Sequence, residues 1–213
     1  VKEVIGGLSD PEVAKAAIDI LGQEFPLWLG QGAEISEGSN GRLKITAGDN
    51  SVEVDRVFAS IGRRPNVEKL GLDAIGAPID DRGVPVYNPN TMQVGDLPVF
   101  LAGDITGERP LLHEAGDEGR IAGHNAISAN VTAFQRKTPL GITFCDPNIV
   151  QVGQRYADLD QQTSAIGEVQ MAPVGRALIM AKNKGVIRVY ADKSSGGMLG
   201  PTTSTSKTKA ATM

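Results

Sequence analysis

The residues best placed to do chemistry are Gly103 and Asp104, which close the apolar run Val99-Phe100-Leu101-Ala102 ahead of a helix expected to begin near Leu111. In open α/β sheets, ligands gather beyond the C-terminal ends of the strands. A carboxylate there accepts hydrogen bonds from ligand hydroxyls, a glycine lets a ligand approach the backbone, and the following helix N-terminus donates to an electronegative atom. On these residues alone, Asp104 either holds a ligand or caps a turn. Val57-Phe58-Ala59-Ser60-Ile61 is a second apolar run ending in glycine, Gly62, before Arg63-Arg64-Pro65-Asn66. It reads either as a place of close ligand approach or as a linker carrying solvated arginines. His113, in the first turn of the expected helix, either hydrogen-bonds a ligand or is satisfied by backbone. His124 falls about three turns further along and cannot share a site with it. Cys145 has neither a thiol partner nor a basic neighbour in sequence and reads as a strand residue, and Trp28 as a core residue.

The elements that must position these residues follow from local signals. Ser9-Asp10-Pro11-Glu12 is a helix start: Ser9 or Asp10 caps, Pro11 suits the first helical position, and Glu12 favours the positive end. Val13, Ala16, Ala17, Ile20 and Leu21 continue it at helical spacing to Gly22. Short pieces at Trp28-Leu29, Glu34-Ile35, Leu43 to Thr46 and Val52 to Val54, with turns at 38–41 and 48–50, read as a hairpin meander. Val57–Ile61 and Val99–Ala102 are apolar on both faces, as buried strands of a parallel sheet are. Five strands are expected after residue 137: Ile142-Thr143-Phe144, Ile149 to Val152, Ile166 to Val169, Ala177 to Met180 and Val186 to Tyr190. From Pro201 to Met213 the composition turns abruptly to Thr, Ser and Lys, which predicts a disordered tail or a non-native junction.

Composition sets limits on function. The 213 residues are 40% hydrophobic, enough for a real core, and the net charge of −4 does not favour nucleic acid or a membrane surface. One cysteine and two histidines leave little for a disulfide framework or a metal site. No apolar run approaches the roughly 20 residues of a membrane span, and the first residues lack a signal-peptide pattern. The expectation is a soluble, cytoplasmic α/β protein without metal.

Four stretches taken together carry a specific likeness: VFASIGRRPNVEKLGL (57–72), TMQVGDLPVFLAGD (91–104), LLHEAGDEGRIAGHNA (111–126) and TPLGITFCDPNIVQVG (138–153). The sequence resembles the flavin-dependent pyridine nucleotide–disulfide oxidoreductases, and within them looks most like the dihydrolipoamide dehydrogenase branch. The resemblance implies an α/β fold: a partial FAD/NAD(P)-binding domain followed by the start of an α+β interface, or dimerisation, domain. Residues 1–62 then match the latter part of the NAD-binding domain, 63–136 the central FAD-binding segment and 137–200 the partial dimerisation domain, with 201–213 as the tail. It further implies that Gly62 lies beside NAD and that Gly103-Asp104 holds the flavin ribityl chain. Leu111, Leu112 and His113 match the segment whose backbone lies against the flavin ring. FAD and NAD are the implied cofactors, and a homodimer and a dehydrogenase complex the implied partners.

There are departures from the family pattern. The glycine fingerprints, the paired redox cysteines and the catalytic His–Glu pair are absent from these 213 residues. Pro110 stands where a methionine with a backbone N–H is usual, Leu112 where a small residue is, Cys145 where threonine is and Asn148 where glutamate is. The activity implied is electron transfer between NAD(H) and a dithiol or disulfide, with this chain inactive by itself. The alternatives are a non-catalytic binding or assembly module of the same fold, or a related disulfide or quinone reductase.

Overall fold

The computed structural model describes residues 5–206. Their contacts divide the chain into two units, one of residues 1–59 with 140–213 and one of residues 60–139.

In the first unit, α1 (Pro11–Leu21) begins as its sequence dictates. The Asp10 carboxylate accepts from the N–H groups of Glu12 and Val13 at 3.0 and 3.4 Å, and Pro11 occupies the first turn. Its face of Val13, Ala14, Ala17, Ile20 and Leu21 is buried. β1 (Glu34–Glu37), β2 (Leu43–Ala47) and β3 (Asn50–Val54) form the expected antiparallel meander. A two-residue turn at Gly48-Asp49 joins β2 to β3, with Ala47 opposite Asn50; Gly48 supplies the positive φ of 56° that such hairpin turns require. Trp28-Leu29 forms no strand.

The remainder of this unit is a five-stranded antiparallel sheet in the order β4-β5-β8-β7-β6. Its strands are β4 (Leu140–Thr143), β5 (Asn148–Val152), β6 (Ser164–Gln170), β7 (Gly185–Asp192) and β8 (Met198–Thr205), with the short helix α3 (Gly175–Ile179) between β6 and β7. α1 packs on one face, where Leu8, Val13, Ala14 and Ala17 meet Ile149 and Val186. Two expectations are corrected here. Ala177 to Met180 lie in and just beyond α3 rather than in a strand, because a four-residue apolar run fits either period and Leu178 N–H bonds back to Val174. Pro201 to Thr205 are not tail but the second half of β8, a central strand paired with both β5 and β7. Thr202 and Ser204 are buried there, and the β-branched threonines suit the pleated surface even without a large aliphatic side chain. The rest of the expected tail, 207–213, lies outside the described residues.

The second unit has one long helix, α2 (Leu112–Ile127), and otherwise turns and isolated bridges. Val99 to Ala102 do not form the expected parallel strand. They lie antiparallel to 92–94 through one bridge, Gln93 to Phe100, and through the bonds of Val94 N–H to Val99 and Leu101 N–H to Met92. Val57 to Ile61 form no strand either, and Phe58 and Ile61 are 94% and 96% exposed. Both corrections have one cause: a run apolar on both faces needs strands at its edges and layers above and below. Among the described residues no parallel strand offers that. Two small cores hold this unit together, Ala77, Val94 and Leu101 in one and Met92, Ile121 and Ala122 in the other.

Candidate functional site

The Gly103-Asp104 turn is built from the inside outward. Residues Gly103–Thr106 make one 3₁₀ turn, closed by Gly107 in the left-handed conformation. Gly103 has φ +81°, which a side chain would strain, and a Cβ there would sit 3.4 Å from that of Ala115 in α2. The Thr106 hydroxyl donates to the Gly103 carbonyl at 2.9 Å, and the Gly103 N–H donates to Glu118 Oε2 at 2.6 Å. The turn is thereby pinned to α2, and Asp104 points outward with its side chain 45% exposed.

Asp104 Oδ2 lies 2.7 Å from Arg63 Nη1, in an ion pair whose arginine side chain is 74% exposed. A pair this wet is worth about 0–1 kcal/mol, so it leaves the carboxylate available to a ligand. Both residues line a half-open cavity of about 940 Å³ whose walls also include Asn66, Arg82, Ile105 and Pro110. That volume lies within the range of small-molecule sites. Beyond Pro110, Leu111 stands at the N-cap of α2 and no side chain caps the helix; its first-turn N–H groups and positive dipole end are dressed for an electronegative partner. Leu112 is 91% exposed and His113 is exposed beside it. Gly62, with φ +110°, has no atom within 4 Å of where a Cβ would stand, which leaves room beside its backbone. The structure thus places Gly103 and Asp104 together with α2. Leu111, Leu112, His113 and Gly62 are not part of the cavity wall.

Sequence reasoning missed the other side of α2. Glu114, Asp117 and Glu118 are buried, in helical phase with buried Ile121, Ala122 and Asn125. The signal was available: acidic residues at 114, 117 and 118 occupy the same stripe as the apolar and amide positions 121, 122 and 125. Arg136 answers them, with Nη2 2.9 Å from Glu114, Nε 3.0 Å from Asp117 and Nη2 3.4 Å from Glu118. Burial pushes the Glu118 carboxyl above its ordinary range, against the pull of the Gly103 N–H and Arg136. Burial also acts to raise Asp117, but hydrogen bonds from Arg120, Arg136 and the Lys137 backbone outweigh it and hold that carboxyl low.

The Pyr_redox_2 family, described as pyridine nucleotide-disulphide oxidoreductase, matches residues 5–119, more than half of the chain. The dimerisation domain of the same family matches residues 140–210. The chain belongs to the pyridine nucleotide-disulphide oxidoreductases. It is similar to dihydrolipoyl dehydrogenase of Chlamydia muridarum, with 28% identity over 91% of this chain and 42% of that protein. Dihydrolipoyl dehydrogenase of Cupriavidus necator is 33% identical, again over 91% of this chain and 42% of that protein. The chain therefore spans less than half the length of these relatives. Among solved structures, the flavoprotein disulfide reductase RclA from Escherichia coli superposes with a TM-score of 0.79 at 20% identity, covering 94% of this chain and 46% of that one. LpdA from Mycobacterium tuberculosis superposes with a TM-score of 0.75 at 23% identity, covering 92% and 44%. At these identities the likeness is one of fold: an α/β FAD/NAD-binding portion followed by a dimerisation domain, as the family implies. Members of this oxidoreductase family use FAD and NAD(H). The donor set fits the first of these, since an outward carboxylate, a glycine-led turn and an uncapped helix start suit ligand hydroxyls and an electronegative ring edge.

Proposed function

We propose that this chain supplies the latter half of an FAD-dependent, NAD-linked disulfide oxidoreductase passing electrons between NAD(H) and a dithiol or disulfide such as dihydrolipoamide. FAD, when bound, supplies the two-electron chemistry that links a nicotinamide to a disulfide. The observation that carries the reading is the Asp104 carboxylate, set in a cavity wall on a turn that is hydrogen-bonded to α2, in a chain matched by this family along most of its length. Asp104 accepts from ribityl hydroxyls, exchanging its solvated bond to Arg63 for better-shielded ones. The α2 start, from Leu111 through Leu112 and His113, presents backbone N–H groups to the electronegative edge of the ring. Pro110 contributes no N–H there, so this end is less rich in donors than a methionine at that place would make it. Gly62 leaves the backbone open for NAD. A single cysteine provides no redox pair, so this segment is inactive by itself. The sheet of β4 to β8 serves homodimer formation in the cytoplasm, within a dehydrogenase complex.

The test is FAD retention in the full-length flavoprotein that carries these residues, read from the fluorescence of released flavin. Loss of a charge-assisted hydrogen bond costs roughly 1.5–3 kcal/mol. Asp104→Ala is therefore expected to weaken retention about ten- to a hundredfold, and Asp104→Asn less, because the amide still accepts. Exposed Asp96 is the control. Equal retention in Asp104→Ala and Asp96→Ala would remove the cofactor role of Asp104.

A further inference from the structure

Three carboxylates on the core-facing stripe of one helix are an expensive way to pack it. Ion pairs at such places are often replaceable by apolar residues with no loss of stability. Ile121 and Ala122, about one turn beyond Glu118, show what packing alone would ask for. The acid at 118 does something an apolar residue cannot: it takes the Gly103 N–H at 2.6 Å. With Thr106 on the Gly103 carbonyl, both backbone groups of this residue are then occupied, in a conformation (φ +81°) that side-chain-bearing residues avoid. Asp104 follows directly, so the orientation of the 103–104 peptide decides where its carboxylate points.

Arg136 reaches this acid from a strap that returns along α2. Asn125 ties the strap down, its Nδ2 donating to the carbonyls of Thr91 and Thr132 and its Oδ1 accepting the Thr132 N–H, each at 2.9 Å. Phe134 N–H adds a bond to the Asn90 carbonyl at 2.8 Å. The guanidinium so delivered has a side chain only 19% exposed and touches all three acids.

We infer that Glu118, held by Arg136, is a positioning residue: it fixes the Gly103-Asp104 turn against α2 and thereby aims the Asp104 carboxylate at the flavin. The inference rests on the proposed cofactor role of Asp104. It assigns to Glu118 an action through the Gly103 N–H, with no contact of its own to FAD.

Two conservative variants separate reach from charge in the full-length flavoprotein. Glu118→Gln keeps an oxygen at the same distance and loses the charge; Glu118→Asp keeps the charge and withdraws the oxygen by one methylene. Val94→Ala serves as a destabilised control in the separate core of Ala77, Val94 and Leu101 in the same unit. FAD release, visible-region circular dichroism of the bound flavin and the melting temperature are measured for each. Glu118→Asp is expected to release FAD about tenfold more readily, as loss of one charge-assisted hydrogen bond predicts, and to alter the flavin dichroism. Glu118→Gln should stay within about twofold of the parent, since a neutral acceptor replaces a charged one. Val94→Ala should melt earlier with unchanged FAD release. The inference is overturned if Glu118→Gln loses FAD while Glu118→Asp keeps it, or if FAD release follows melting temperature alike in all three. Asp104→Ala in the same series separates the two ideas. Weak FAD in Asp104→Ala with unaltered Glu118→Asp removes only the positioning role, whereas full retention in Asp104→Ala removes the reading beneath it.

Discussion

Replacing Asp10 tests the joint between α1 and the five-stranded sheet. Its side chain is 0% exposed and serves four donors: the N–H groups of Glu12 and Val13, Arg188 Nη1 at 2.7 Å and the Tyr190 hydroxyl at 2.5 Å. Asp10→Ala removes the helix cap, worth about 1 kcal/mol. It also removes the charged acceptor of the Tyr190 hydroxyl, at roughly 1.5–3 kcal/mol for a bond to a charged group, and leaves that hydroxyl with Thr202. Arg188, with a side chain 13% exposed, keeps Glu168 at 3.3 Å and the Tyr156 ring at 5.7 Å, so its loss is partial. Together, allowing for non-additivity, about 3–5 kcal/mol should be lost, the figure for breaking a buried ion pair. Asp10→Asn keeps one capping oxygen and should lose about half as much. Trp28, the single tryptophan, lies in the same unit and reports urea unfolding by fluorescence. The Asp10→Ala midpoint should fall by about 2 M urea for an m-value near 2 kcal/mol/M. A second reading comes from the phenol, which burial and then the Asp10 hydrogen bond hold well above the ordinary tyrosine range. Absorbance titration should show it moving down toward that range in Asp10→Ala. A loss below about 1 kcal/mol would mean that the buried cluster contributes little and that apolar packing of α1 suffices.

Arg136→Met should destabilise the 60–139 unit by about 3–5 kcal/mol at pH 7, followed by far-ultraviolet circular dichroism in urea. The loss should shrink toward pH 4, where protonation relieves Glu118, whose carboxyl burial already pushes above its ordinary range; a pH-independent loss would contradict the electrostatic account. Asp192, hydrogen-bonded by the Ser194 side chain and then by Ser195, is held at about 2. Its folded value lies below the unfolded one, so its contribution is present above about pH 4 and is lost as pH falls through 2, and a carboxyl titration by NMR with a midpoint near 3.9 would refute this. Gly200→Ala would drive a Cβ to 2.2 Å from the Val152 carbonyl oxygen, so β8 must move away from β5. The expected result is an early loss of amide-exchange protection at Thr202 to Thr205, and full protection would contradict the placement of that strand.

What the sequence determined by itself lies within a few residues of its signal. Asp10-Pro11 starts α1 and Gly48-Asp49 turns β2 into β3, because caps and tight turns are satisfied by neighbouring backbone. Gly103-Asp104 was legible as a glycine and an acid ahead of a helix, but its 3₁₀ turn and positive φ were not. What only the tertiary structure decided depends on partners distant in the chain. Val57 to Ile61 and Val99 to Ala102 have the composition of buried strands, yet strands exist only where an edge is offered to them. Pro201 to Thr205 look like a solvated tail, yet they become the middle of a sheet because β5 and β7 supply both edges. The buried charges follow the same logic. Glu118 meets a backbone N–H 15 residues away and Asp10 a phenol 180 residues away. A charge leaves water only when the fold delivers its partner, and no local pattern records that delivery.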